Sequence, residues 1–424
     1  MDTYDGFKVQ QWQDFVEFVL EQTKLRRDWL SDGKNASAIV AHQSRLRNRA
    51  AKKFSDSERW IWTAKLLEQS SDEKVAKMMA SAFPKSVPVV DFCCGAGADT
   101  IALARRGFVT AVDRCEVACA LTRANLFMHA ASNQTEVVCS SAEVHDIGSV
   151  AWVHIDPDRR PDSFRTTQVD YFQPSLEFIT KLIRQSSGGS IKLAPATKLD
   201  TFSSSLDDEN RPALAVNPLP IGRQFVSWGG SVRQQRWWWN VAAYPAGTTT
   251  VSMMLRSSDW YHWTVTDSES AQCDQWSRVI NGQQSIGGYI GDADGCVRAA
   301  GLQGVLANML DASLIGNQWG YLLAEKLPTS STPLTDWFQI EASMSFDRKR
   351  LRSYLREKNV GVLEIKVRNV EISPEVIRRE MKLHGTESAT VLITKCGPKT
   401  IAIVGKRVDA TLEEVDTSER SLPF

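Results

Sequence analysis

The spacing of apolar residues along the chain changes near Pro84. Before it, the stretches WQDFVEFVLEQTKL and ERWIWTAKLLEQ carry an apolar residue every three to four positions, as amphipathic helices do. After it, short apolar runs alternate with the helical patterns LTRANLFMHAA and SLEFITKLIRQ; the runs are VPVVDF, VTAVD, TEVVCS, AWVHID and GSIKLA. We therefore predict a helical region over residues 1–86, followed by an α/β fold with a doubly wound parallel sheet.

The last part of the chain shows a second mixed pattern. FQIEASMSF, VLEIKVRN, ATVLITKC and KTIAIVGK alternate as strands do, whereas RKRLRSYLREK and PEVIRREMKL are amphipathic. The stretch SPE from Ser373 supplies an N-cap, a first-turn proline and an acid suited to the helix dipole. A separate α+β domain over 337–424 is expected. Ahead of it, DGCVRAAGLQGVLANML predicts one helix and PTSSTPLTD predicts a linker.

Composition limits the class of protein. Of the 424 residues 42% are hydrophobic, which is enough for globular cores, and 50 basic residues balance 50 acidic ones. The polar start of the chain and the lack of a long apolar run predict a cytoplasmic protein with no membrane partner. The eight cysteines show no CxxC spacing, so we expect buried, reduced thiols and no metal site.

Local charge is more informative than the total. Residues 337–407 contain 15 lysines and arginines against 8 acids, so positive charge is concentrated near the C-terminus. Such an excess suits neutralisation of RNA phosphates, or is an ordinary basic surface. Basic residues from Arg45 to Lys53 allow the same two interpretations. Three tryptophans, 237–239, stand in a strand-like run, where packing is favoured over base stacking.

The first predicted strand ends in DFCCGAGADT, which contains Asp91, Gly95 and Gly97. Glycines at this turn allow a ligand to approach the backbone closely. A dinucleotide site would need GxGxxG, but Thr100 takes the third glycine position, and Asp91 and Asp99 would repel a diphosphate. The positive sulfonium and ammonium of S-adenosylmethionine match these carboxylates better.

The next two strand ends add further residues that suit this cofactor. Asp113, in VTAVDR, can accept hydrogen bonds from both ribose hydroxyls, although enzymes that use NAD share this feature. At the third strand end, Ala142 and Glu143 in SSAEVHD would hold an adenine, unless this is an ordinary polar loop. DFCCGAGADT, AVDR, SSAE and IDPD, in this order, resemble the successive motifs of class I S-adenosylmethionine-dependent methyltransferases.

The resemblance extends to nearly the whole chain. KFSDSERWIWTAKLLEQSSDEKVAKMMASAF, GGSVRQQRWWWN and the segment from FDRKRLRSYLREK to MKLHG are similar to a bacterial family of these methyltransferases with a C-terminal THUMP-like domain. It implies a Rossmann-like methyltransferase domain over 87–257, a connecting region over 258–336 and an RNA-binding THUMP-like domain over 337–424. A small ferredoxin-like unit is implied from about Tyr289 to Leu327.

The fourth predicted strand end, WVHIDPDRRP, is where related enzymes align the methyl acceptor. Enzymes that methylate exocyclic base amines commonly have an Asn or Asp, two prolines and an aromatic residue at this place. Asp156 and Pro157 match that pattern, but Asp158 replaces the second proline and Arg159 the aromatic. Pyrimidine carbon-5 methylation needs a nearby cysteine, and none lies between positions 153 and 271.

Direct methyl transfer to a nitrogen or oxygen, of tRNA or rRNA, is therefore expected. Asp156 would orient the acceptor, Asp158 is a candidate base, and Arg159, Arg160 and Lys192 are candidates for holding a substrate phosphate. A salt-bridged turn is the alternative for Asp158 and the arginines. For the whole chain, the alternatives are an RNA-binding protein with a vestigial or sensory S-adenosylmethionine fold, and a methyltransferase of proteins or small molecules.

Overall fold

The computed structural model describes residues 3–23, 37–148, 151–158, 172–197, 220–276, 278–280, 286–317, 319–329 and 332–408. The chain divides into two compact units. The first contains the described residues up to Arg223 together with Gln235–Ala246, and the second contains Gln224–Gln234 and the described residues from Gly247 onward.

The first unit contains the predicted parallel sheet. Its five parallel strands are Val89–Phe92 (β1), Val109–Asp113 (β2), Thr135–Cys139 (β3), Trp152–Ile155 (β4) and Gly188–Leu193 (β5). After them come Gly222–Trp228 (β6) and Ser231–Trp239 (β7), and the last five residues of β7 pair antiparallel with β5. The order within this unit is β7-β5-β4-β1-β2-β3. All five predicted strands are confirmed.

Seven helices of the described first unit surround or precede this sheet. They are Val9–Thr23 (α1), Ser37–Ala50 (α2), Ala64–Gln69 (α3), Glu73–Ser81 (α4), Ala98–Ala104 (α5), Glu116–Met128 (α6) and Leu176–Gln185 (α7). The helix predicted in WQDFVEFVLEQTKL, α1, and the two helices predicted between strands, α6 and α7, are therefore confirmed. A short hairpin, Thr3–Tyr4 with Phe7–Lys8, precedes α1.

The stretch ERWIWTAKLLEQ is helical only in its second half, contrary to the prediction. Residues 60–63 are extended, with the side chains of Trp60, Ile61 and Trp62 all buried. Two amides replace the helical hydrogen bonds: Asn125 bonds the backbone N–H and C=O of Ile61, and Gln43 does so for Trp62. Tertiary partners thus override the local helical pattern.

Apolar residues cover both faces of the first sheet. Trp237 and Trp239 pack with α7 and the β4 and β5 strands, whereas Trp238 packs with α4, α5 and Tyr244. Trp238 stacks on Tyr244 with ring centroids 4.7 Å apart. The three tryptophans are at most 1% exposed, so the packing interpretation is confirmed.

The second unit contains the strands and helices that follow β7. Its further strands are Thr248–Met254 (β8), Trp260–Thr266 (β9), Val279–Ile280 (β10), Tyr289–Ala293 (β11), Ser313–Ile315 (β12), Leu322–Ala324 (β13), Thr335–Ser345 (β14), Val360–Val367 (β15), Glu387–Cys396 (β16) and Lys399–Val408 (β17). Its helices are Asp267–Trp276 (α8), Gly295–Ala299 (α9), Gln303–Met309 (α10), Arg348–Glu357 (α11) and Pro374–Met381 (α12). The strands β10 to β17 form one sheet, in the order β10-β12-β13-β11-β14-β17-β16-β15.

The strands of the connecting region and those of the last part of the chain therefore share a sheet. β11 pairs with β14 from Tyr289 opposite Gln339 to Ala293 opposite Thr335. The predicted single helix in DGCVRAAGLQGVLANML is two helices, α9 and α10, because Gly301 between them has φ +74°. The cap predicted at Ser373 is confirmed, since its side chain accepts from the amide of Val376.

None of the cysteines, all of which lie in the described ranges, forms a disulfide. Cys94, Cys119, Cys296 and Cys396 are buried as expected, but Cys139 is exposed at the end of β3. Among the described residues, no helix is both long and apolar enough to cross a bilayer.

Candidate functional site

The carboxyl ends of β1 to β5 lie level with one another. Phe92 is opposite both Val112 and Ile155, Asp113 is opposite Cys139, and Ile155 is opposite Ile191. Because parallel strands all end at the same edge, the loops after them converge there. The predicted site residues of the described chain lie at or beside this edge.

Two glycines of the turn after β1 adopt left-handed backbone conformations. Gly95 has φ +60° and Gly97 has φ +85°, both in the left-handed region that favours glycine. A Cβ at Gly97 would lie 3.2 Å from Cγ2 of Thr122, so the turn is also closely packed against α6. Cys93 adopts φ +59°, which is uncommon for a residue with a side chain.

Asp113 fastens this turn to the end of β2. One carboxylate oxygen accepts the Gly95 amide at 3.0 Å, and the other accepts the Cys115 amide at 2.9 Å. Each oxygen keeps a second lone pair, so the half-buried carboxylate can still accept from ribose hydroxyls. Burial raises the pKa of Asp113, and the two amides oppose that shift.

Asp91 lies deeper than the sequence suggested. Its side chain is 1% exposed, and the hydroxyl of Thr100 donates to it at 2.5 Å. Burial raises its pKa to about 7, against the opposing effects of His154 and of the Thr100 hydrogen bond. Thr100, read in the sequence only as a missing glycine, is thus the partner of this acid.

The third strand end separates the two residues predicted there. Ala142 begins a short 3₁₀ turn and is buried in the apolar cluster that contains Phe92 and Ile155. Glu143 is exposed, and its carboxylate accepts from the hydroxyl of Ser141. Only the alanine therefore faces the interior beside β1 and β4.

The fourth and fifth strand ends form an ion pair. Asp156 follows β4, and its side chain is 25% exposed, whereas that of Lys192 on β5 is 8% exposed. The Lys192 ammonium donates to Asp156 Oδ2 at 2.7 Å and to the Gln69 carbonyl at 3.1 Å. Lys192 thus holds one oxygen of Asp156. The sequence suggested separate roles for these two residues and did not predict this ion pair.

The rest of the loop is only partly described. Pro157 is buried, and Asp158 exchanges two backbone hydrogen bonds with Gln173, at 2.9 and 3.1 Å. The Asp158 carboxylate lies 3.7 Å from the ammonium of Lys65. Arg159 and Arg160 lie outside the described residues.

Beneath this edge lies a buried charged cluster that the sequence reading did not find. Asp99 accepts from the hydroxyl of Ser71 at 2.8 Å and lies 3.7 Å from His154 Nε2 and 3.6 Å from Arg236 Nη2. Burial would raise the pKa of Asp99, but His154 and Arg236 together lower it. The His154 ring also bonds Ser190 at 2.9 Å.

The expectation that Asp99 would repel a diphosphate is wrong. The carboxylate of Asp99 faces Arg236 and His154, so its charge is compensated and does not repel a diphosphate at the turn. The available signal was a polar residue inside an apolar strand, namely His154 in WVHID and Arg236 before the three tryptophans.

The basic run before α3 is also partly internal. Arg47 is 2% exposed and donates to the Trp60 carbonyl at 2.9 Å. The ammonium of Lys53 donates to the carbonyls of Leu67, Glu68 and Ser70. Because both side chains donate to backbone carbonyls inside the protein, Arg47 and Lys53 belong neither to a solvated helix face nor to a surface for phosphates.

Comparison with known proteins agrees with the fold. Residues 335–407 match the model of a family described as THUMP domain-like. An uncharacterized S-adenosylmethionine-dependent methyltransferase of Mycobacterium tuberculosis (strain CDC 1551 / Oshkosh) is 28% identical over 367 residues, which is 85% of this chain and 93% of the relative. A protein of the same description from strain ATCC 25618 / H37Rv gives the same figures.

A crystal structure of a methyltransferase candidate from Porphyromonas gingivalis W83 superimposes with a TM-score of 0.70 at 18% identity. The match covers 95% of this chain and all of that chain. The fold is the Rossmann-like fold of class I methyltransferases, and the candidate acids and glycines lie at the ends of its strands. The chain is a class I S-adenosylmethionine-dependent methyltransferase with a C-terminal THUMP-like domain.

Proposed function

We propose that this enzyme methylates a nitrogen or an oxygen of a tRNA or rRNA nucleotide, and that Asp156 orients the acceptor. The observation that carries the proposal is the Asp156–Lys192 pair at the carboxyl edge of the sheet. Lys192 holds Oδ2 from the buried side, and the carboxylate remains partly exposed. An anchored carboxylate at this edge is suited to accept a hydrogen bond from an N–H or O–H acceptor group.

The residues around the turn after β1 fit S-adenosylmethionine, which supplies a methyl carbon activated by a sulfonium. Asp113 offers lone pairs for the ribose hydroxyls, and Gly95 and Gly97 leave the turn free of side chains. Ala142 is a small apolar residue suited to lie beside an adenine. Glu143 and Asp91 stay candidates for this site, the first because it is exposed at the same edge.

The protein's own part in the reaction is to orient the acceptor and to manage one proton. An N–H or O–H acceptor that took up the methyl group would have to release its proton. Asp156 can take it, with Asp158 as the second acid on the same loop. Because Lys192 is largely buried and already paired, we assign it to Asp156 and leave phosphate binding to Arg159 and Arg160.

RNA is proposed because the basic excess of residues 337–407 is displayed on the two helices of the THUMP-like domain. Leu351, Leu355, Ile377 and Met381 anchor α11 and α12 in the core. The exposed basic residues on or next to these helices are Arg348, Lys349, Arg350, Arg356, Lys358, Arg378, Arg379 and Lys382. Clustered cations of this kind suit an RNA backbone.

Methyl transfer from tritium-labelled S-adenosylmethionine to total RNA tests the proposal. The wild-type protein should label RNA, and Asp156→Ala should lower the rate by at least about 100-fold, the usual loss when an acid–base group is removed. Asp156→Asn keeps an oxygen acceptor without the charge, so its activity separates orientation from proton removal. Mass spectrometry of the labelled nucleoside then identifies the modified atom.

The matched control is Asp259→Ala, which removes an exposed aspartate between β8 and β9 and should leave the rate unchanged. Label that enters only protein or small molecules would contradict RNA as the substrate. Full activity of Asp156→Ala would contradict the assigned role of Asp156.

A further inference from the structure

The second unit displays an exposed tryptophan on a tight turn. Trp319 lies between β12 and β13 and is 43% exposed, whereas every other tryptophan with a described side chain is buried or half-buried. A single exposed aromatic ring is common on protein surfaces, so the groups around Trp319 decide whether the ring could bind a ligand.

Hydrogen bonds hold the backbone of this turn. Asn317 Oδ1 accepts from the Trp319 amide at 2.9 Å and from the side-chain amide of Asn369 at 2.8 Å. A Cβ at Gly320 would lie 1.8 Å from the Ile315 carbonyl oxygen, so only glycine fits there. The ring edge lies against Gly301, because a Cβ there would be 3.8 Å from it.

Both neighbours of the turn carry cations. Gly301 follows α9, which contains Arg298, and Asn369 follows Arg368 at the end of β15. Arg298 and Arg368 converge on Asp292, at 3.3 and 3.1 Å, and Lys366 reaches it at 2.9 Å.

One buried carboxylate thus faces three cations. The next acid, Glu364, lies 3.5 Å from Lys366 and also 3.5 Å from Arg407, which Asp336 pairs at 2.8 Å. Asp294 also acts on Arg298, so acids and cations are equal in number, but three of the cations share Asp292. The side chains of Arg298 and Arg368 are 28% and 25% exposed, and these arginines lie close in sequence to Gly301 and Asn369, which contact the turn of Trp319.

A buried hydroxyl lies in the same cluster. Tyr321 is 1% exposed, and the Arg368 guanidinium lies over its ring, 5.6 Å from the centroid. Among the described residues its hydroxyl has no hydrogen-bond partner, although buried hydroxyls usually have one. The charges around that hydroxyl are Arg368, Asp292, Arg298 and Glu364.

We infer that this surface binds a single-stranded RNA segment, with a base stacked on Trp319 and a neighbouring phosphate held by Arg298 and Arg368. An aromatic platform next to cations is how proteins hold unpaired nucleotides, because every base has a face that can stack. A base inside a duplex is already stacked, so the ring selects unpaired RNA. The inference rests on the proposed RNA substrate.

Fluorescence anisotropy with the full-length protein and a labelled single-stranded RNA oligonucleotide tests this site. Trp319→Ala should weaken binding by between about fivefold and about a hundredfold, the range for one stacked base, and Trp319→Phe should restore most of it. Trp319→Ala should have little effect on the affinity for the same RNA sequence in duplex form. Phe108→Ala, which removes an exposed aromatic ring of the first unit, is the matched control.

Photocrosslinking of the bound oligonucleotide gives an independent readout. The tryptic peptide over residues 299–326 contains Trp319 and should carry the crosslinked nucleotide. Trp319→Ala binding single-stranded RNA as well as the wild type does would overturn the site but leave the RNA substrate intact. A wild-type protein that binds no RNA would overturn both.

Discussion

At the residue scale, the buried acid Asp91 makes stability depend on pH. Its carboxyl is covered by the sheet and α5, and its pKa of about 7 lies well above the ordinary value of 3.8 because burial disfavours the charged form. Between these two values the folded protein binds a proton that the unfolded chain has released. The free energy of unfolding contributed by Asp91 therefore falls as the pH rises from about 4 to about 7.

Replacing Asp91 by Asn should remove this dependence. The Asn oxygen can still accept the Thr100 hydroxyl, and no charge is buried at neutral pH. The difference in free energy of unfolding between Asp91→Asn and the wild type should move in favour of the variant by up to about 4 kcal/mol from pH 4 to pH 7. Denaturant titrations at several pH values measure it, and a difference that stays constant with pH would refute the shift.

At the element scale, a single lysine closes the end of α3. The Lys53 ammonium donates to three carbonyls at the C-terminal end of α3, which have no hydrogen-bond partner within the helix. In the same segment, the Gln69 carbonyl accepts from Lys192, and the Ser71 hydroxyl donates to Asp99. The N-terminal region thus supports the carboxyl edge of the parallel sheet. α3 also places Lys65 beside Asp158.

Lys53→Ala should destabilise the first unit by about 1.5 to 3 kcal/mol, the typical contribution of hydrogen bonds to a charged group. Lys52→Ala removes the same side chain from the neighbouring exposed position and should change stability by at most about 0.5 kcal/mol. Hydrogen exchange should show faster opening of residues 66–71 only in Lys53→Ala. Equal losses of stability in the two variants would show that the hydrogen bonds from Lys53 to the end of α3 do not stabilise the protein.

At the scale of the whole molecule, the second unit merges two regions that the sequence reading separated at residue 337. The β11–β14 pairing crosses that boundary, and Asp292 of β11 neutralises Lys366 and Arg368 of the THUMP-like part. The matched family model begins at residue 335, where β14 begins.

Asp292→Ala should therefore destabilise the second unit by about 1.5 to 3 kcal/mol, because the half-buried Arg298, Lys366 and Arg368 lose the buried carboxylate that pairs with them. Asp311 forms an exposed pair with Arg278, so Asp311→Ala should change stability by no more than about 1 kcal/mol. Thermal unfolding of both variants provides the comparison. Similar melting temperatures for the two would contradict a structural role for the Asp292 cluster.

Periodicity was sufficient for the strands of the parallel sheet and for α6, α7, α11 and α12. It failed at residues 60–63, where Gln43 and Asn125 supply hydrogen bonds from distant parts of the chain. Motif order led to Asp113, Gly95 and Asp156, because strand ends of a parallel sheet meet at one edge whatever the rest of the fold does.

The sequence by itself determined the class of fold and the edge of the sheet at which the candidate residues lie, since both follow from local pattern. Only the tertiary structure decided which charges meet. Lys192 with Asp156, Asp99 with Arg236, and Asp292 with Arg368 are separated by 36 to 137 positions. Such pairs depend on strand register and helix packing, which a one-dimensional pattern does not contain.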